Sequence, residues 1–330
     1  MAFEELKANF RRPHVVILGA GTSVAALPRG DANGACLPVM LDLVETVGLG
    51  RILDDAGIHW RGRNFESVYQ EIAAVPALAS TREKVEESVM AYFGSLKLPE
   101  EPTIYDYLVL SLREKDVVAT FNWDPFLFSA CLRNRAVARM PQVLFLHGCA
   151  AIGYCEEHSK QGPVDARCSK CRRQFTPTKL LYPIKDKNYT SDPYINSQWR
   201  VIGKALQAAF VLTVFGYSAP ESDAAAIKLM SDAWGNAYQR NLEETEIIDI
   251  KPEDHLARQW DRFIHTHHYR TTDDYFRSLL SYFPRRSCEA IWAETQEMQD
   301  LEYSSVPRFY SLKELHDWFG ALLPFEQDSI

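Results

Sequence analysis

The feature that most constrains this chain is a series of short β-branched segments, each of which stops on small or polar residues. His14 leads into VVIL and then GAGTS, and VVATFN (117–122) runs on into Trp123 and Asp124. VLFLHG (143–148) ends on a histidine and a glycine, and FVLTVFGYS (210–218) ends on GYSAPESD. EIIDIK (246–251) and FIHTHHY (263–269) continue the series, with helical patterns such as DAAAIKLMSDAW between most members. Apolar strands alternating with helices predict an α/β fold with a parallel sheet covered by helices on both faces. Folds of that class open their ligand crevice at the carboxyl ends of the strands. The ends GAGTS, FNWD, LHG and GYSAPESD are therefore expected to converge on one site.

Three stretches depart from the alternation. Leu37, Met40, Leu41, Val44 and Val47 recur at helical spacing and end at Gly48. From about 49 to 104 the pattern stays helical with no convincing strand, which reads as a helical insertion. Residues 149–182 are rich in Cys, Gly, Lys and Arg and carry no long apolar period, as suits a small module held by something other than a core. Residues 286–330 read as a C-terminal helical extension whose last helix starts at Ser311, with Glu314 placed to complete a capping box. The main sheet domain is thus expected over 13–148 and 183–285.

Composition narrows the function classes. With 330 residues, 46% of them hydrophobic, the chain can bury one or two ordinary cores, which excludes disorder and fibre. Lys+Arg 36 against Asp+Glu 44 gives a net charge of −8 with no long basic run, so no direct nucleic-acid partner is expected. The opening MAFEELKANFRR has acids where a signal peptide needs basic and then apolar residues, and runs such as AAFVLTVF are too short for a bilayer. A cytoplasmic protein without a membrane partner is the expectation. Seven cysteines, an odd count, do not suit a disulfide framework in a reducing compartment. Cys155, Cys168 and Cys171 crowd one segment, while Cys36, Cys131, Cys149 and Cys288 are scattered.

Several constellations carry chemistry. Cys155-x2-His158 and Cys168-x2-Cys171 form two knuckles of metal-ligand spacing, and four such ligands match a closed, structural zinc site. The alternative is a surface histidine beside unligated thiols. Gly19-Ala20-Gly21-Thr22-Ser23 follows a strand and leads toward a helix, which lets backbone N–H groups approach a pyrophosphate. Val24 stands where the usual dinucleotide fingerprint has Gly or Ala, and a packing turn without ligand is the other reading. His147 closes an apolar strand directly before Gly148, where an imidazole faces the crevice and suits a general base, or else is structural. Asn122 and Asp124 bracket Trp123 at another strand end; Asp124 also suits a helix cap with Pro125 in the first turn. His265, His267 and His268 read as an ordinary strand end, since alternation splits them between faces with no acid in register. The charged residues of 82–87 read as a solvated helix face.

The order of these motifs resembles the sirtuin family, over roughly residues 13 to 285, and in particular its divergent bacterial branch. GAGTS, TFNWD, LHG, the two knuckles, FGYS and IIDI follow one another as that family's motifs do. The resemblance implies a Rossmann-like fold with a zinc-ribbon module and NAD as substrate. It places Gly19 to Ser23, Gly216, Tyr217, Ser218 and Asp249 in the NAD site, Asn122 at the nicotinamide ribose and Asp124 at the carboxamide. It makes His147 the catalytic histidine and adds Asn122 as a second catalytic residue. The departures matter as much. The family's Gly-Ile-Pro-Asp-Phe-Arg is replaced by VAALPRGDANGACLP, Phe121 stands for the glutamine of the Thr-Gln-Asn-Ile-Asp signature, and His158 for one zinc cysteine. The missing loop shields the reacting sugar from water in deacylases. The resemblance therefore implies an NAD+ glycohydrolase that makes ADP-ribose and nicotinamide, of the kind that depletes NAD in antiphage defence, under control of a homo-oligomer or an activating partner. An NAD-dependent protein-lysine deacylase is the alternative.

Overall fold

The computed structural model describes residues 11–184, 187–264 and 268–329. Among the described residues nine strands form: β1 His14–Leu18, β2 Val117–Thr120, β3 Gln142–Phe145, β4 Ile152–Cys155, β5 Lys160–Pro163, β6 Thr176–Pro177, β7 Val211–Phe215, β8 Glu244–Ile248 and β9 Tyr269–Thr272. Six of them make one wholly parallel sheet in the order β3-β2-β1-β7-β8-β9. The chain therefore works outward from β1 to β3, returns to the middle and runs out the other way. The turn-around lies between β1 and β7, and such a switch point is where doubly wound sheets hold their ligands.

Alternation within the strands supplies both faces. Val16 and Leu18 of β1 join one core cluster, and Val15 and Ile17 join the other. On the first face the sheet is covered by the helical insertion, comprising helices Gly50–Asp55, Phe65–Ala74 and Ala79–Ser95, followed by helix Ile104–Ser111. Phe65, Val68, Ile72, Val85, Val89 and Phe93 recur at helical spacing and are buried there. The other face is covered by helix Pro193–Ala208 through Ile195, Trp199 and Ile202, and by helix Ala224–Trp234 through Met230 and Trp234. The C-terminal residues are not a detached arm. Helix Leu312–Leu322 buries Leu315 and Phe319 in the first cluster, and Ser311 and Glu314 close the expected capping box. At the opposite end of the sheet from the crevice, His14 holds Ser287 Oγ through Nδ1 and Thr213 Oγ1 through Nε2, both at 2.8 Å. Burial pushes that imidazole down to about 3, so it stays neutral.

Two sequence expectations change. The spacing Leu37 to Val47 predicts one helix, but only Leu43–Val47 is helical. Residues 35–39 run as coil, tied down by Asp31, whose carboxylate accepts N–H groups from Asn33, Ala35 and Lys97. The run FIHTHHY predicts a strand over 263–269, but Phe263 and Ile264 precede the strand and β9 begins at Tyr269. His268 stands at its start, its carbonyl accepting the Thr245 N–H at 3.1 Å; His265 and His267 lie outside the described residues.

Candidate functional site

The first strand end is shaped by glycines packed against each other. A Cβ on Gly19 would lie 2.5 Å from Tyr217 Cα, one on Gly21 2.8 Å from Gly216 Cα, and one on Gly216 2.3 Å from the Thr22 nitrogen. Gly216 also takes φ +60°, a conformation open to glycine at little cost. The Gly19 N–H donates to the Phe215 carbonyl and the Gly21 N–H to the Gly216 carbonyl. These glycines thus let the ends of β1 and β7 touch, and helix Ala20–Ala26 starts directly from Gly19. The motif is a helix start and not an open loop, and three of its N–H groups, those of Gly19, Gly21 and Thr22, are already used by the chain itself. Thr22 turns away from the crevice: it is fully buried and its hydroxyl donates to the Phe215 carbonyl at 2.7 Å.

Ser23 is the hub of the next layer. Its hydroxyl donates to Asp124 Oδ2 at 2.7 Å and accepts from Asn122 Nδ2 at 3.0 Å. With the serine proton committed to the carboxylate, the Tyr105 hydroxyl at 2.7 Å is the donor to Ser23 Oγ. Asn122 Nδ2 also donates to the Gly19 carbonyl at 2.9 Å, which ties the end of β2 to the end of β1. Asp124 is buried, and desolvation raises its carboxyl to about 6 despite the Ser23 hydrogen bond. Its other oxygen accepts the Phe126 N–H at 3.2 Å, so from one residue before the cap it still meets the first N–H of helix Phe126–Asn134 while lying in the crevice. Pro125 is the cap residue and not the first helical one.

His147 follows the end of β3, buried, with its ring perpendicular to that of Phe121, 4.7 Å between centroids, and stacked on Tyr189 at 6.0 Å. Its Nε2 is buried without a hydrogen-bond partner among the described residues. Asp223 Oδ1 lies 3.8 Å from that nitrogen, beyond hydrogen-bond reach. The same carboxylate is taken by the Lys187 ammonium and, at its other oxygen, by the Tyr217 hydroxyl at 2.8 Å. Burial, and next the Lys187 charge, push the imidazole down to about 3, so it is neutral throughout the physiological range. Phe121 stacks flat on Tyr217 at 4.1 Å.

These ends surround one cavity of about 550 Å³, within the range of pockets for cofactor-sized ligands. Gly19, Ala20, Gly21, Ser23, Asn122, Asp124, His147, Gly216, Tyr217, Ser218 and Asp249 all line it, which leaves only Thr22 of the expected crevice residues outside. Its apolar wall comes from Leu37, Pro38, Val39, Met40 and Leu43, with Phe93 and Leu96 behind. Arg29 is exposed and does not line it. The charged lining is lopsided: Glu66, Asp124, Asp223, Asp249 and Asp273 against Lys187 and Lys251. Sequence reasoning missed Tyr105 and Lys187, and gave Asp223, the last residue of the GYSAPESD end, no role. Asp223 carried a usable signal, since it follows directly on the GYSAPES strand end; Tyr105 and Lys187 sit on elements with no strand-end motif.

The two knuckles do come together. β4, β5 and β6 form a separate antiparallel sheet in the order β5-β4-β6. Each knuckle ends on a residue of positive φ, Ser159 at 48° after His158 and Arg172 at 63° after Cys171, so the two turns repeat one geometry. One ligand atom from each of Cys155, His158, Cys168 and Cys171 can be chosen so that all four lie within 4.8 Å of one another. Cys155 Sγ is 3.7 Å from Cys171 Sγ and 3.5 Å from His158 Nδ1. A tetrahedral zinc ion has S–S and S–N edges of about 3.8 and 3.6 Å, worked from Zn–S and Zn–N bonds of about 2.3 and 2.0–2.1 Å. The donor set therefore fits Zn²⁺ in a closed structural site.

No protein-family model matches the chain, and no curated protein matches it in sequence. Among solved structures it is similar to a Sir2 homologue in complex with NAD, at 14% identity over 88% of this chain and 91% of that one, with a TM-score of 0.40. A structure described as the basis for the mechanism and regulation of Sir2 enzymes matches at 16% identity, covering 90% of this chain and 99% of that one, with a TM-score of 0.42. Sir2 bound to an acetylated peptide matches at 14% identity, covering 90% and 99%, with a TM-score of 0.39. At superpositions this loose, the architecture rests on the strand order and register of the chain itself.

Proposed function

We propose that this protein is an NAD+ glycohydrolase, converting NAD and water to ADP-ribose, nicotinamide and a proton. The observation that carries the reading is the cavity at the switch point, which gathers Asn122 and Asp124 from the end of β2 and His147 from the end of β3. Three side chains that line it, Trp123, His147 and Ser222, each bear a buried polar atom with no partner among the described residues. Buried polar atoms are ordinarily paired, and such a group around a cavity marks the place of a polar ligand.

In this reading Asp124, ionised above about pH 6, accepts the carboxamide N–H of nicotinamide and holds the ring for departure. The bond from ribose C1′ to the ring nitrogen breaks with its electron pair going to nicotinamide. The excess of carboxylates along the lining stabilises the positive charge that develops on the sugar. Asn122, its Nδ2 fixed on Gly19 and Ser23, positions the attacking water through its amide oxygen. Neutral His147 takes the proton released from water or from a ribose hydroxyl. The turn at Gly19 and the two lining cations, Lys187 and Lys251, are left for the pyrophosphate. The sequence order of the motifs supports the same assignment, with Gly216, Tyr217, Ser218 and Asp249 on the adenosine side. Zinc, when bound, holds the ribbon and takes no part in the chemistry, because its four protein ligands fill the coordination sphere.

The test is product analysis of an NAD incubation without peptide. ADP-ribose and nicotinamide in equal amounts are expected, with His147→Ala and Asn122→Ala each slowing turnover about a hundredfold or more. Full turnover in either variant would overturn the assignment. A deacylase is the second reading, favoured by the apolar rim of Val24, Val39, Met40 and Ile250, which suits an acyl chain; O-acyl-ADP-ribose formed only with acylated peptide would establish it. We further propose a cytoplasmic NAD-depleting role in antiphage defence, gated by self-assembly or a protein partner. Among the described residues no helix is long and apolar enough to cross a membrane.

A further inference from the structure

The Lys187–Asp223–His147 cluster joins the LHG and GYSAPESD strand ends to a lysine that no motif marks, and its geometry is unusual. A buried imidazole nitrogen without a partner lies 3.8 Å from a carboxylate oxygen, and that oxygen is held by a lysine instead. All three side chains are nearly excluded from water, at 6%, 5% and 4% exposure, so each charge acts on the others with little screening. Lys187 and Asp223 both line the cavity, and Lys187 is one of two cationic side chains there among the described residues. The other, Lys251, donates to Gln259.

We propose that Lys187 is a latch on Asp223: it keeps the carboxylate off His147 until an anionic ligand group draws the ammonium away, whereupon Asp223 closes on His147 Nε2. The anion is a phosphate, and in the glycohydrolase reading on which this rests it belongs to the pyrophosphate of NAD. The movement required is small, since shortening 3.8 Å to an ordinary hydrogen bond is a shift of about 1 Å. Tyr217 keeps its grip on the other carboxylate oxygen and serves as the pivot. The other groups against the imidazole, Phe121 and the Tyr189 ring, carry no charge at neutral pH, so Lys187 and Asp223 alone set its charge balance. Lys187 and Asp223 are thus positioning residues: they convert an idle neutral histidine into one oriented by a carboxylate only when substrate is present.

The experiment is nitrogen NMR of the His147 ring in the zinc-loaded full chain, across about pH 5 to 8, the window where a histidine beside a free carboxylate titrates. Wild type is expected to stay neutral throughout. Lys187→Met is expected to bring a protonation step into the window; Lys187→Arg, which keeps the charge, is not, and neither is Lys187→Met combined with Asp223→Asn. Inorganic pyrophosphate added to wild type is expected to reproduce the Lys187→Met behaviour, and this arm needs no variant to fold. A ring as unresponsive in Lys187→Met as in wild type, or no effect or no binding of pyrophosphate, overturns the latch. Because the probe has neither ribose nor nicotinamide, this result is independent of whether NAD is hydrolysed.

Discussion

Removing the metal from the ribbon tests the most complete of the sites. Within residues 149–179 the apolar side chains that become buried are Cys149, Ile152, Cys168 and Phe175. Cys149 and Ile152 pack into the core of the main sheet, so Phe175, whose side chain lies against Gly153 and Gly162, is the principal apolar residue of the module itself. Burying one phenylalanine contributes about 1.5–3 kcal/mol, whereas a structural zinc contributes on the order of 10 kcal/mol at neutral pH. The metal is therefore worth several times the module's own core, and the module should open without it while the parallel sheet persists. Trypsin reads this directly, because Lys160, Arg167, Lys170, Arg172 and Arg173 are exposed on the ribbon. Losing about 3 kcal/mol, a third of the metal's contribution, already raises the open population about a hundredfold, and the cutting rate follows. Protein stripped by chelator under reducing conditions, and His158→Ala, are both expected to be cut between 160 and 173 at least that much faster, with far-ultraviolet circular dichroism largely retained. Metal-free protein that resists trypsin as well as the zinc-loaded form would refute the argument.

Three further predictions follow from buried groups. Gly216→Ala places a Cβ 2.3 Å from the Thr22 nitrogen at φ +60°, so urea unfolding should show a loss of about 3 kcal/mol or more, with ligand binding weakened because the ends of β1 and β7 must part. Asp124 has its carboxyl raised to about 6 by burial, so NAD affinity measured by calorimetry should fall as pH drops below that value, and Asp124→Asn should remove the dependence. Glu246, wholly buried between Thr213 and the Leu279 N–H, is raised from 4.5 to about 7 by desolvation. A raised carboxyl stabilises the fold below its unfolded value and loses that contribution as pH climbs through about 7. Glu246→Gln should therefore flatten the fall in stability between about pH 4.5 and 7 and leave the variant roughly 2 kcal/mol more stable at pH 8 in thermal unfolding.

What could be read in the sequence is what local chemistry dictates. β-branched runs interrupted by helical periods specify a parallel α/β sheet, since only that arrangement buries both faces of such strands. Polar residues at strand ends mark the crevice, which is why His147, Asn122 and Asp124 were legible from GAGTS, FNWD and LHG alone. The knuckle spacing was legible because metal ligation demands short turns, and the two turns do bring four ligand atoms together. Strand lengths were not: β2, β3, β7 and β8 each stop short of their apolar runs, because the last residues leave the ladder to line the cavity. For Gly19 and Gly21 the residues alone leave both a ligand contact and a packing turn open, and their spacing from the backbone at Gly216 and Tyr217 shows that packing of one strand end on another already requires them.

The sequence by itself determined the order of the strands along the chain, the polar ends and the ligand set of the ribbon, all of which follow from residues near one another in the chain. The tertiary structure alone decided that Tyr105 donates to Ser23, that Thr22 faces inward, and that Lys187 and Asp223 stand beside His147. Those contacts join residues from 36 to 193 positions apart. No period or spacing encodes such a meeting; it is set by which elements the sheet order and the two cores bring side by side.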